Sequence, residues 1–241
     1  MTNLEIIQEL KQSTFTDEDG EQYKLEFQKG LSDDEIEHLK NRFPNSTISD
    51  EISQILQVTK GWDGYGPEMV YFDSIGEFGF TELSPNSIAL GHDGFGNYWV
   101  LDLNEKGELG KVFFACHDPA VFVINSQNLN EYLSHLLDFY KNPTDSNLIS
   151  IDDKITFDIW KNNENLNPKI EFQNHNPEFN NFLDKFEGDD WTVADLRKGR
   201  NKDGFPWGKL GPNQFTERHP KELIWIIKNK KKGFLSKLFG K

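Results

Sequence analysis

One stretch constrains this chain more than any other: Ile88 to Asp118, I-A-L-G-H-D-G-F-G-N-Y-W-V-L-D-L-N-E-K-G-E-L-G-K-V-F-F-A-C-H-D. Two glycine-rich turns divide three apolar runs, each too short for a helix, so the segment reads as three strands joined by tight turns. Strands at about Tyr98–Leu103 and Lys111–Cys116 flank N-E-K-G-E-L-G, a hairpin connection. Polar residues gather at the turns and give the segment the look of a catalytic or metal site.

Helical signals flank it. Ser32 and Glu35 form a capping box, with Leu31 and Ile36 at staple positions. Ile36, Leu39 and Phe43 mark one helical face, which Pro44 ends. Ser49 caps a second helix through Ile52, Ile55, Leu56 and Thr59, with Gly61 as its stop. Leu129, Tyr132, Leu133, Leu136, Leu137 and Tyr140 repeat at helical spacing between the Asn128 cap and Asn142-Pro143. Tyr23, Leu25 and Phe27 alternate as a short strand, and Met69–Phe72 and Val121–Ile124 are strand-like. Helices, then hairpin strands, then a helix is the α+β order. Beyond residue 150 the texture changes. Ile151–Trp160 is expected as one more strand. Residues 161–181, with eight asparagines and two prolines, are expected as a loop or linker. A helix capped by Asn176 should carry Phe179, Phe182, Leu183 and Phe186, and Leu223–Ile227 should be a buried strand or short helix. The expected division is an α+β domain over 1–150, an aromatic, Gly/Pro-rich extension over 151–227, and a basic tail over 228–241.

Charge narrows the partners. Residues 1–150 hold 9 Lys/Arg against 26 Asp/Glu, a net of −17, and residues 151–227 hold 11 against 14, a net of −3. Residues Lys228–Lys241 hold six lysines and no acid. An acidic body repels phosphate backbones, which argues against nucleic acid and suits a basic protein partner. The tail also carries Phe234, Leu235, Leu238 and Phe239, so it reads as a solvated end, as a strip docked on the acidic body, or as a membrane-surface contact. The single cysteine, Cys116, excludes an internal disulfide. The first residues lack a basic region followed by an apolar run, and no stretch of about 18 apolar residues occurs. A cytoplasmic protein is expected.

His92, Asp93, Asn97, Asp102, His117 and Asp118 allow two readings. As metal ligands they would converge from neighbouring strands. As turn residues, Asp93-Gly94 and Asn97 supply side-chain-to-backbone bonds, and Asp102 opens the hairpin turn in the same way. The turn reading is preferred, because Asp and Asn at turns need no further explanation. An EF-hand match through Asp102, Asn104 and Gly107 fails at Lys106 and at Phe113, where a bidentate Glu is required. G-H-D-G-F-G is followed by a strand, not by the helix of a dinucleotide fingerprint. Cys116 and His117 are adjacent on a strand and point to opposite faces, so Cys116 reads as a buried small hydrophobe. Arg197–Trp207 mixes cations with aromatics, a combination found at protein interfaces and equally in loops that pack their own aromatics inward.

From Gln28 to Tyr140 the order of features resembles the SUKH superfamily, the Smi/Knr-type cell-wall regulators and bacterial immunity proteins. G-L-S-D-D-E-I-E-H-L-K-N-R-F-P, from Gly30 to Pro44, resembles the family's first helix and the proline after it. T-K-G-W-D-G, at Thr59–Gly64, sits where the family has an asparagine-glycine helix terminus, with Lys60 in place of the asparagine. I-A-L-G-H-D-G-F-G-N-Y-W-V-L-D-L, from Ile88 to Leu103, resembles its glycine-aspartate strand pair, and V-F-F-A-C-H-D follows. The resemblance covers just under half the chain and says nothing of residues 151–241. It implies helices packed on a curved, mostly antiparallel sheet, and a non-enzymatic role without cofactor or metal. The expected function is an immunity protein that binds a basic toxin domain. The alternative is a regulatory scaffold for envelope or cell-wall synthesis, held near the membrane by the lysine tail. Expected partner contacts are Trp62, Asp63, Asp93, Asn97, His117, Asp118, Arg197 and Trp207.

Overall fold

Capping fixes where the helices begin. A computed structural model describes every residue except 18, 65–68, 144, 145, 147, 149, 150, 152, 163, 164, 209–214 and 229–241. The basic tail beyond Lys228, with its expected apolar stripe, lies outside the described residues. The Ser32–Glu35 box is formed: Ser32 Oγ accepts the Glu35 N–H, and Glu35 returns a carboxylate oxygen to the Ser32 N–H at 2.8 Å. A second box, Thr2 with Glu5, starts a helix that sequence reasoning passed over. Its Ile6, Ile7 and Leu10 follow the same amphipathic spacing and are fully buried.

In chain order the elements are α1 (Asn3–Gln12), β1 (Phe15–Thr16), β2 (Gln22–Tyr23), β3 (Glu26–Phe27), α2 (Asp33–Lys40), α3 (Asp50–Val58), β4 (Gly61–Asp63) and β5 (Met69–Tyr71). Next come β6 (Ser87–His92), β7 (Tyr98–Leu103), β8 (Leu109–His117), β9 (Ala120–Ser126), α4 (Leu129–Lys141) and α5 (Asp153–Asn162). The last are β10 (Leu166–Pro168), α6 (Lys169–His175), α7 (Asn180–Leu183), β11 (Trp191–Asp195), β12 (Gly204–Pro206), β13 (Thr216–Arg218) and β14 (Ile224–Lys228).

The meander expected from the sequence is the centre of an eight-stranded antiparallel sheet, ordered β12-β9-β8-β7-β6-β5-β4-β3. Its strands alternate, and in the half that holds β7, β8 and β9 both faces are largely buried. Leu90, Trp99, Leu101, Phe114 and Cys116 face a helical layer that includes α1, α3 and α4. Ala89, Val100, Phe113, Ala115 and Phe122 face a second, four-stranded sheet, ordered β10-β11-β14-β13. There the rings of Phe113 and Phe122 stack at 4.3 Å, and Trp225 of β14 meets both edge-on at 6.1 and 5.9 Å. Burying each such side chain contributes about 1.5–3 kcal/mol. The far face of the second sheet, with Val193, Ile224 and Ile226, is covered by Phe172, Phe182 and Leu183 of α6 and α7. The architecture is α+β. Residues beyond 150 supply β12 to the large sheet, beside β9, and build the small sheet that covers it.

Several local expectations are corrected. Ile151–Trp160 is not a strand: α5 occupies most of it, and Ile151, Ile155 and Ile159 recur every fourth residue against the core. The isoleucines suggested a strand by composition, while their spacing is helical. Residues 161–181 hold β10 and α6, not a structureless linker. β10 is an edge strand, where Pro168 is tolerated. Asn176 caps no helix with its side chain; its Nδ2 donates to the Phe172 carbonyl and closes α6. Tyr23 and Phe27 belong to two separate strands, paired with different neighbours. Gly61 does more than stop α3: it opens β4 at φ 152°, and a Cβ there would lie 1.8 Å from the Val70 carbonyl oxygen. Asp102 makes no hairpin turn. That role falls to Asn104, whose Oδ1 accepts the N–H groups of Lys106 and Glu108 at 2.9 and 3.0 Å. No helix among the described residues is long and apolar enough to cross a membrane.

Candidate protein-interaction surface

The turn between β6 and β7 is built by one aspartate. Asp93 Oδ1 accepts the N–H groups of Phe95 and Asn97 at 2.9 and 3.1 Å, and Oδ2 accepts Asn97 Nδ2 at 2.5 Å. Gly94 and Gly96 take the positive φ angles, 77° and 95°, that this tight loop needs. Asn97 then ties the turn to the next strand. Its Oδ1 accepts the His117 N–H at 3.0 Å and lies 3.0 Å from His117 Nδ1. Asp118-Pro119, a cis peptide bond, makes the adjoining turn between β8 and β9. Four of the expected contact residues, Asp93, Asn97, His117 and Asp118, therefore do meet at one end of the sheet.

Their arrangement shows a different division of labour from the expected one. Asn97 is only 7 % exposed, so it positions the turn and does not face a partner. What the turn presents is Phe95, 82 % exposed at its tip. A large apolar ring held out on a hydrogen-bonded loop is the geometry of an interface anchor. Sequence reasoning missed it. The available signal was an aromatic residue between two glycines in a turn, where no strand face could bury it.

Trp62 is corrected. It is fully buried, its Nε1 donates to the Tyr140 hydroxyl at 3.1 Å, and its ring meets those of Phe27 and Phe72. The strand pleat turns Asp63 to the opposite face. There the cross-strand register forms a continuous row: Glu26, Asp63, Met69, His92 and Tyr98. Beyond Tyr98 the same row passes through Ala115 and Phe122 to Phe205, all buried. The row's first five residues are exposed or half-buried.

Trp207 belongs near this end. Its ring packs on Phe80 at 4.8 Å, and its backbone N–H donates to the carbonyl of Ala120, just after the Asp118-Pro119 turn. Arg197 is engaged within the chain. Its guanidinium forks onto Asp195 at 2.9 and 2.8 Å, donates to Asn176 at 2.9 Å and lies 4.6 Å over the Phe179 ring. These bonds hold the short helices to the second sheet through Nε and Nη2.

Among the described residues no three His, Cys, Asp or Glu gather into a metal-binding group. Ser126 and His135 form a pair that the sequence did not suggest, with Oγ 3.0 Å from Nδ1. Ser126 Oγ donates to Asn125 Oδ1 at 2.8 Å, which leaves it to accept from the ring. The serine is fully buried, and burial holds His135 below its ordinary pKa despite Glu131 nearby.

No curated protein and no solved structure matches the chain. Residues 30–135, the segment that carries α2, α3, the centre of the large sheet and the Phe95 turn, match the SMI1/KNR4 family (SUKH-1).

Proposed function

We propose that the chain is a non-enzymatic immunity protein that binds and neutralises a basic toxin domain. The match of its central segment to the SMI1/KNR4 family supports an immunity or cell-wall-related module that acts through protein contacts. The observation that carries the finer reading is the turn of Asp93–Asn97. It is locked from within and from β8, and it holds Phe95 out at 82 % exposure. Around this anchor residues 1–150 carry a net charge of −17, which draws a basic surface into encounter and repels nucleic acid. A preorganised apolar anchor on an oppositely charged body gives tight, fast binding without chemistry.

Co-expression with a basic toxin domain taken from a gene adjoining that of this chain tests the proposal. The expected result is restored growth and a stable complex. A toxin that stays lethal and does not bind the purified chain sinks it.

A further inference from the structure

The open half of the large sheet carries more than the Phe95 anchor. Glu26, Asp63, Met69, His92 and Tyr98 lie in line on one face, and Tyr71 stands on the same face of β5, with its ring 6.4 Å from that of His92. His92 and Tyr98 are 6.2 Å apart, edge to face. Carboxylates border these rings. Burial first, and then Asp63, Asp73 and Glu77, hold the Tyr71 hydroxyl above its ordinary pKa. Two of these acids have cations of their own: Lys60 lies 3.9 Å from Asp73, and Arg42 lies 2.8 Å from Glu77. Glu26 and Asp63 have no ion pair among the described residues. Asp63 Oδ1 is closed off from water and meets no donor there.

We infer that this face receives a basic side chain of a protein partner, an Arg or Lys lying over Tyr71, His92 and Tyr98 with its head toward Asp63 and Glu26. The inference rests on the protein-binding reading and names the surface and the partner's chemistry. Aromatic faces attract cations, and a guanidinium also matches a carboxylate in shape. Met69, at the middle of the row, adapts its rotamer to an incoming stem. The same carboxylates repel phosphate, so neither a nucleic acid nor an anionic membrane fits. Phe95 sits on the turn that joins His92's strand to Tyr98's, so one partner segment reaches both the apolar anchor and the acidic row.

The probe is a synthetic peptide of alternating Arg and Gly, titrated into the full chain labelled with nitrogen-15. Amide shifts are expected at Asp63, Met69, Tyr71, His92 and Tyr98. Affinity is expected to fall about tenfold or more in Glu26→Lys and in Asp63→Asn/Tyr71→Ser, the loss of one desolvated cation contact. Asp34→Asn/Glu37→Gln, on exposed α2, should leave affinity unchanged. Glu26 is exposed, so its variant folds and keeps the test decisive if the double variant does not. Shifts spread over the whole acidic surface, or equal binding by Glu26→Lys, overturn the inference. The toxin experiment separates the two claims. Failure of the unsubstituted chain to protect sinks the antitoxin reading, and the peptide then decides this face alone. Full protection by Glu26→Lys and Asp63→Asn removes this face and leaves the antitoxin reading intact.

Discussion

Asp102 on β7 and Arg218 on β13, separated by 116 residues, meet in a fork: Nη1 donates to Oδ1 at 2.6 Å and Nη2 to Oδ2 at 2.7 Å. Ser84 Oγ donates to the same carboxylate at 2.8 Å, and both charged side chains are buried. The pair is the polar joint between the two sheets. Burial pushes the Asp102 carboxyl above its ordinary pKa, and Arg218 pulls it back down. The attraction between the two charges offsets the cost of taking both out of water, and the fork fixes where the two sheets meet.

A double-mutant cycle follows from that balance. Asp102→Leu or Arg218→Met alone leaves an unpaired buried charge and is expected to lose about 3–5 kcal/mol. Asp102→Leu with Arg218→Met removes both charges and should cost far less than the sum of the single changes. Urea unfolding of the three variants measures it. Simple additivity would show that the two residues do not act as a joint.

Phe95 and Asn97 should separate binding from stability. Phe95→Ser removes an exposed ring and should leave the free energy of urea unfolding within about 0.5 kcal/mol of the parent. It should still abolish toxin protection, as loss of an interface anchor does. Asn97→Ala cuts the bonds to Asp93 and His117 and should destabilise the chain by about 1–3 kcal/mol. Equal loss of stability in both variants would count against Phe95 as an anchor.

Much of the frame could be read from local patterns. The Ser32–Glu35 box, the Ser49 and Asn128 caps and the Ile88–Asp118 strands are signals spanning a few residues, and the structure forms all of them. Three features could not be read. Asp102 looks like a turn residue because its partner is 116 positions away. Trp62 looked like a contact because its tryptophan-aspartate setting does not reveal which pleat faces the helices. In the extension, Asn165 adopts a positive φ of 57° and donates to the Gly204 carbonyl, so asparagines that read as linker are holding an ordered connection.

Two glycines with positive φ offer a contrast. At Gly61 a Cβ would press on the Val70 carbonyl, which belongs to the β4–β5 ladder, whereas at Gly76 nothing lies within 4 Å. Gly76→Ala should cost only the conformational penalty of about 1–2 kcal/mol. Gly61→Ala adds a backbone clash and should cost about 3 kcal/mol or more. Thermal melts of both variants check the order, and equal losses would place the constraint at Gly61 in φ alone.

His135 should give the fold a weakness on the acid side. Its Nδ1 faces buried Ser126, and burial holds its pKa below the ordinary histidine value. Glu131 and Asp138 oppose that effect, and Lys202 adds to it. A histidine with a lowered pKa binds its proton more weakly folded than unfolded. Its neutral form therefore supports the fold fully above pH 6.5, the unperturbed value, and that support is lost as pH falls through the folded-state pKa. His219, lowered mainly by its burial against Phe179 and Phe182, acts in the same direction. Urea unfolding between pH 7.5 and pH 5.5 should show stability falling with pH. His135→Gln removes one of the two groups, so its curve should start lower at pH 7.5 and slope less. A variant that keeps the full slope would mean that His135 takes up its proton as readily folded as unfolded, and that His219 and the carboxylates carry the dependence.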